Sequence, residues 1–344
     1  MTKKTIFLLS NSLGGAEQIL FNIAKYSNIK DIFVFYKSQN NIWEKAGFDV
    51  KYFNGSVVKM IQTISNRKFK TVYSSHIMMN ALLGLFRKLN ILHTDYLVCR
   101  ESTSVFLRYK GIKLLKYKLA YCIGYKKIDL LITQSDSMKN VLLDNVPYLK
   151  NRFKIKTIPN PFVYPKNIVL NCQYDFPYII SAGRLIPEKG FDILIDAFHR
   201  LSFQYSELRL IILGEGFLRQ ELQEKIKELG LMGKVLMPGF VHNVYKYFKN
   251  AEVCVVSSTI EGFPNVLLQM MSQNNNIVST LCAGGIENLK GVKTCITNNS
   301  TKLYEAINDV LYKDCTCNRV YFDNELKKRS IENFVKNIDM LLIE

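Results

Sequence analysis

The stretch GRLIPEKGFDILIDAF, residues 183–198, follows the apolar run YIIS and opens an amphipathic segment. It reads as a strand, a glycine-bounded turn and a helix, the start of a βαβ unit in a parallel sheet. Arg184 and Lys189 stand five residues apart in that turn. Two cations at a strand-to-helix junction converge on one anion, so the turn sets a functional expectation as well as a fold.

The alternation extends in both directions. Downstream, LRLIILGEG, KVLMPGF, EVCVVSS and NIVST are separated by helix-like segments at 191–201, 218–229, 244–250 and 264–273. Upstream, TIFLLS, DIFVFYK, DVKYF, TVYSSH, YLVCRES, DLLITQS and FKIKTIPN alternate with AEQILFNIAKYS, VVKMIQTISNRK, MMNALLGLFRKL, LLKYKLAYCIGYKK and SMKNVLLDNV. Each series predicts a Rossmann-like, doubly wound parallel sheet. Between them, NPFVYPKNIVLNCQYDFPY holds three of the eight prolines and has no period, which marks the linker. The predicted division is an N-terminal domain over 1–165 and a C-terminal domain over 166–322. One helix over 323–344 then crosses back to the N-terminal domain. Two domains of this size suit a chain of 344 residues.

Hydrophobic residues make up 48% of the chain, enough for sizeable cores, and no uninterrupted apolar window is long enough for a transmembrane helix. The apolar run in MTKKTIFLLSNS is too short for a signal-peptide core and reads as a first buried strand. Cys99, Cys122, Cys172, Cys254, Cys282, Cys295, Cys315 and Cys317 are scattered without a CxxC pair, as reduced thiols of a cytoplasmic protein are. The four histidines, His76, His93, His199 and His242, form no metal-ligand spacing.

The net charge of +17 is unevenly placed. Residues 1–165 hold 26 Lys and Arg against 9 Asp and Glu, whereas residues 166–344 hold 20 of each. The excess fits a polyanionic partner for the first half: nucleic acid, an anionic membrane or a phosphorylated substrate. Residues 108–127, RYKGIKLLKYKLAYCIGYKK, intersperse Lys and Arg with Leu, Ile and Tyr. Such a helix suits an anionic membrane face, or else is a Rossmann helix with a solvated lysine side.

Ligands of open α/β sheets bind at the carboxyl ends of the strands, so the loops there matter most. In STIEGFPNV, Pro264 suits the first helical position, which leaves the N–H groups of Asn265, Val266 and Leu267 as an anion site. Glu261 just ahead reads either as a charge complement to the helix start or as an acceptor for sugar hydroxyls. In SLGGAEQ, Gly14 and Gly15 permit positive φ and close backbone approach.

These segments resemble a known family. GGAE, IPNPF, GRLIPEKGFDILIDAF, LIILGEGFLRQELQ, MPGFVHNVYKYFKNAEVCVVSSTIEGFPNVLLQMMS and GGIEN run in the order and near the spacing of GT4-like glycosyltransferases, bacterial surface-polysaccharide branch. The resemblance implies the GT-B fold, two Rossmann-like domains facing across a cleft. It implies that Gly183, Arg184 and Lys189 hold the diphosphate of a nucleotide sugar, UDP-linked by preference. Glu261 is then the contact to donor-sugar hydroxyls, and the backbone at Asn265, Val266 and Leu267 a further diphosphate contact. Gly14, Gly15 and His76 approach the donor from the first domain. The implied reaction is retaining transfer to a lipid-linked saccharide acceptor, with the enzyme peripheral on the inner, anionic face of the cytoplasmic membrane. One position departs from the pattern: the second glutamate, expected eight residues after Glu261 and used on the ribose, is Gln269. Glutamine still accepts one hydrogen bond but loses the charge-assisted strength.

No two aspartates are separated by one residue, so no Asp-x-Asp metal site is visible, and no cofactor or metal is expected. No acid–base carboxylate pair stands out for a hydrolase. Alternatives are a non-catalytic GT-B homologue that scaffolds a partner enzyme, or a nucleotide-sugar epimerase. A nucleic-acid binder lacks a recognition motif and has no use for the cation pair beside Glu261.

Overall fold

The computed structural model describes residues 3–12, 14–39, 41–165, 171, 174–313 and 315–343. Leu13, Cys172 and much of the predicted linker lie outside the described residues. The chain divides into two compact units, Met1–Val163 with Arg329–Glu344, and Tyr164–Lys328.

The first unit is built on a seven-stranded sheet in the order β3-β2-β1-β4-β5-β6-β7. Its strands are β1 (Lys3–Ser10), β2 (Asp31–Tyr36), β3 (Asp49–Tyr52), β4 (Lys68–Ser74), β5 (His93–Arg100), β6 (Leu130–Thr133) and β7 (Lys154–Thr157). All neighbours are parallel. Strands covered on both faces read as continuous apolar runs, which is why they were legible. On one face Phe7 and Phe33 stack with centroids 4.7 Å apart, and Phe53 stacks on Phe33 at 5.8 Å. On the other, Ile6, Ile19, Leu20, Ile32 and Trp43 pack with Ile331, Phe334, Val335 and Ile338. Helices Ile77–Lys88 and Gly111–Gly124 meet backbone to backbone. A Cβ on Gly84 would lie 2.1 Å from the Gly124 carbonyl oxygen, so only glycine allows this crossing. That packing leaves Ile112, Leu115, Leu119 and Ile123 outward, at 77, 56, 50 and 52% exposure.

The second unit has a six-stranded parallel sheet in the order β10-β9-β8-β11-β12-β13. Its strands are β8 (Tyr178–Ala182), β9 (Arg209–Leu213), β10 (Val235–Gly239), β11 (Val253–Val256), β12 (Ile277–Thr280) and β13 (Val292–Cys295). In both sheets the strand order reverses next to the first strand, between β1 and β4 and between β8 and β11. Those reversals open the crevices where such sheets bind ligands.

The tail differs from expectation. It is two helices, Asn318–Lys328 and Ile331–Ile343, broken at Arg329 and Ser330. The first stays with the second unit and the other joins the first unit. At the break, Phe162 donates its N–H to the Arg329 carbonyl at 2.7 Å and pairs with Ser330. β13 and the helix Ser300–Leu311 had no counterpart among the sequence expectations.

Candidate active site

The loops after β8 and β11 are stapled together at the strand-order reversal of the second unit. After β8 the chain makes a short 3-10 turn, Pro187–Lys189, and leaves it through Gly190 at φ 59°. A Cβ at Gly190 would lie 2.3 Å from the Ser257 carbonyl oxygen, so glycine is required both for the dihedral and for the approach. Ser257 Oγ donates to the Lys189 carbonyl at 2.8 Å, and Thr259 N–H to the Glu188 carbonyl at 2.9 Å.

This arrangement brings Lys189 and Glu261 into an ion pair, Nζ to Oε1, with both side chains largely covered. Ser258 Oγ donates to the same oxygen at 3.0 Å, and the Glu261 N–H is held by the Cys282 carbonyl at 2.8 Å. No described residue bonds Glu261 Oε2, which leaves an acceptor for a hydroxyl. Gly183 clears the path of the lysine, since a Cβ there would lie 3.1 Å from Lys189 Cε. Arg184 is exposed, and its guanidinium bonds no described residue.

The following helix is Asn265–Met271, and Pro264 is its extended cap rather than its first helical residue. Leu267 does not have a free N–H, because it donates to the Pro264 carbonyl at 3.0 Å. The expected three-amide site is therefore not present as such; Asn265 and Val266 are half-buried at the helix start. Gln269 donates through Nε2 to the Tyr245 hydroxyl at 3.4 Å.

In the first unit, Gly14 caps the helix Gly15–Tyr26 in extended conformation, φ −74° and ψ 178°. Neither Gly14 nor Gly15 adopts the positive φ that glycine permits; a Cβ at Gly14 would meet Glu17 Oε2 at 2.8 Å. His76 follows β4 and caps the helix Ile77–Lys88. Its Nδ1 is buried without a partner among the described residues, and burial lowers its pKa from 6.5, keeping the imidazole neutral near pH 7.

A buried polar network at the same sheet edge was not foreseen beyond the RES loop. Arg100 bonds Ser75 Oγ at 3.0 Å and the Asn160 side-chain oxygen. Glu101 accepts from the Tyr121 and Tyr125 hydroxyls at 2.9 and 2.7 Å. Burial pushes the Glu101 carboxyl up to about 7 against those bonds, and lowers Arg100 to about 10. Among the described residues no cluster of His, Cys, Asp and Glu forms a metal site, and Cys99, Cys254 and Cys282 are buried thiols.

Residues 169–332 match the family model of glycosyl transferases group 1. An uncharacterised glycosyltransferase of Methanocaldococcus jannaschii is 36% identical over 177 residues, 48% of this chain and 43% of that protein. The N-acetylgalactosamine-N,N'-diacetylbacillosaminyl-diphospho-undecaprenol 4-alpha-N-acetylgalactosaminyltransferase of Campylobacter jejuni is 33% identical over 204 residues, 57% of this chain and 53% of that protein. The chain thus spans about half the length of these two curated relatives. Among solved structures, Anabaena HepE in complex with UDP-glucose superposes with a TM-score of 0.82 at 21% identity, covering 98% of this chain and 99% of that one. The two parallel α/β units and this likeness give the GT-B fold, and residues 169–332 are similar to the group 1 glycosyl transferases.

Proposed function

We propose that the protein is a retaining, metal-independent glycosyltransferase. It moves a sugar from a nucleotide-sugar donor, UDP-linked by preference, to a polyprenyl-diphosphate-linked saccharide in surface-polysaccharide synthesis. The observation that carries this reading is the Lys189–Glu261 pair at the β8–β11 reversal, with exposed Arg184 in the same loop. Arg184, Lys189 and the Val266 amide stabilise the charge that develops on the departing diphosphate, in a site ordered before reaction. Gly183 leaves room for that lysine. Glu261 Oε2 accepts from a donor-sugar hydroxyl, and Gln269 from a ribose hydroxyl. The bond from the anomeric carbon to the diphosphate oxygen breaks as the acceptor oxygen bonds to that carbon on the same face. The acceptor's proton passes to the leaving phosphate oxygen.

The names of the relatives support the substrate classes: a diphospho-undecaprenol acceptor for the Campylobacter enzyme and UDP-glucose for HepE. The outward stripe Ile112, Leu115, Leu119 and Ile123, with Lys113, Lys116 and Lys118 on its flanks, supports a peripheral site on an anionic membrane face. Among the described residues no helix is long and apolar enough to cross a membrane. The test is a panel of UDP-, GDP- and dTDP-sugars, scored for nucleotide release with and without polyprenyl-diphospho-saccharide, in EDTA and in Mg²⁺. Acceptor-dependent UDP release unaffected by EDTA is expected. Absence of release from every donor favours the scaffold alternative.

A further inference from the structure

From the carboxyl edge of the first unit's sheet the chain runs through a short helix, Val105–Arg108, into the helix Gly111–Gly124. It turns at Gly111, φ 58°, and Tyr109 lies back along the longer helix, stacked on Tyr117 with centroids 5.3 Å apart. That pair gathers two cations. Lys113 Nζ is 4.4 Å from the centre of the Tyr109 ring, and the Arg108 guanidinium is 5.4 Å from it. Lys116, exposed and three residues after Lys113, is its neighbour on the helix surface. Residues 102–128 contain no Asp or Glu. Among the described residues, Lys110, Lys113, Lys116 and Lys118 form no ion pair. Like charges at this spacing repel, a cost that a multiply charged anion lying across them removes.

The cluster borders the outward stripe Ile112, Leu115, Leu119 and Ile123. Such a stripe sinks about 5–10 Å into the boundary between headgroups and acyl chains, which sets the flanking cations at the level of lipid phosphates. A phosphodiester headgroup brings one negative charge there. A diphosphate brings more than one, on neighbouring phosphates, and suits adjacent cations that include the planar fork of an arginine. Inward from the cluster, Phe106 stacks on Tyr121 at 5.6 Å, and Tyr121 donates to Glu101 at the sheet edge at 2.9 Å. A saccharide carried on that diphosphate therefore starts a few side chains from the edge. We propose that Arg108, Lys113 and Lys116, gathered around Tyr109, bind the diphosphate of the polyprenyl-linked acceptor, over and above the attraction of the helix for anionic lipid. The inference rests on the acceptor class proposed above.

The test is co-sedimentation of the full chain with phosphatidylcholine vesicles that carry undecaprenyl diphosphate or, at equal total negative charge, phosphatidylglycerol. The readout is the ratio of the two partition coefficients, in which general charge attraction cancels. The wild-type ratio is expected to be about tenfold in favour of the diphosphate, the order of one charge-assisted hydrogen bond. Arg108→Gln with Lys113→Gln brings it close to one. Lys118→Gln, on the other flank of the stripe, lowers both coefficients and leaves the ratio. A wild-type ratio near one, no binding to either vesicle, or a tenfold ratio that survives the double substitution overturns the inference. If the ratio is near one while nucleotide release still depends on the acceptor, the transferase reading stands without it. If no release depends on a polyprenyl-diphospho-saccharide, the acceptor class falls and takes the inference with it.

Discussion

Lys189 and Glu261, 72 residues apart in sequence, form an ion pair that joins the loop after β8 to the loop after β11. A donor diphosphate would compete with Glu261 for this lysine and free the carboxylate for the sugar. Arg184→Ala and Lys189→Ala are each expected to lower kcat/KM by roughly 1.5–3 kcal/mol, the range for hydrogen bonds to charged groups. Circular dichroism should show the fold retained. Near-wild-type turnover of both variants at limiting donor removes the diphosphate assignment.

Gly190 tests whether this stapling matters. Its φ of 59° and the 2.3 Å approach to the Ser257 carbonyl leave no room for a side chain. Gly190→Ala is expected to destabilise by about 2 kcal/mol or more and to uncouple Lys189 from Glu261. Unchanged denaturant midpoint and unchanged donor KM would falsify this view of the loop.

Glu101 predicts a pH dependence of stability. Its carboxyl, ordinarily at 4.5, is raised to about 7 by burial, so the folded state holds the proton more tightly than the unfolded chain. Stability contributed below pH 4.5 is then lost as pH rises to about 7, by on the order of 3 kcal/mol, and is level above. Glu101→Gln removes this titration. Urea unfolding at pH 5 and pH 8 should show a smaller fall in the variant than in the wild type; equal falls reject the assignment.

The outward stripe of Gly111–Gly124 predicts binding to anionic vesicles. Co-sedimentation should weaken as salt rises and on replacing Lys110, Lys113, Lys116 and Lys118 by Gln, because exposed charges are screened. Ile112→Ser with Leu119→Ser should weaken it at every salt concentration, through lost apolar burial. Binding of equal strength to neutral vesicles, or none at low salt, leaves the patch as solvated surface.

The inner strands of both units were legible because a doubly covered parallel strand carries a short, unbroken apolar run. β13 was not, because VKTC is half-exposed and mixed in character. The break at Arg329 and Ser330 was also hidden, since neither residue is a glycine or a proline. Arg184, Lys189 and Glu261 were legible through their motif. Their pairing was not, because it depends on which strands are neighbours.

The helix Ile331–Ile343 also bears on the order of synthesis. It completes an apolar face with Ile6, Ile19 and Leu20, is tied by Lys4 to Asp339 at 3.1 Å, and gives its Leu341 carbonyl to Lys154 at 3.0 Å. On the ribosome the first unit is therefore begun first and finished last, after every strand of the second has emerged. Through that interval it carries an open greasy surface, the state that chaperones hold and proteases clear. A chain stopped after Lys328 is thus expected to be a degradation substrate rather than an enzyme missing a tail.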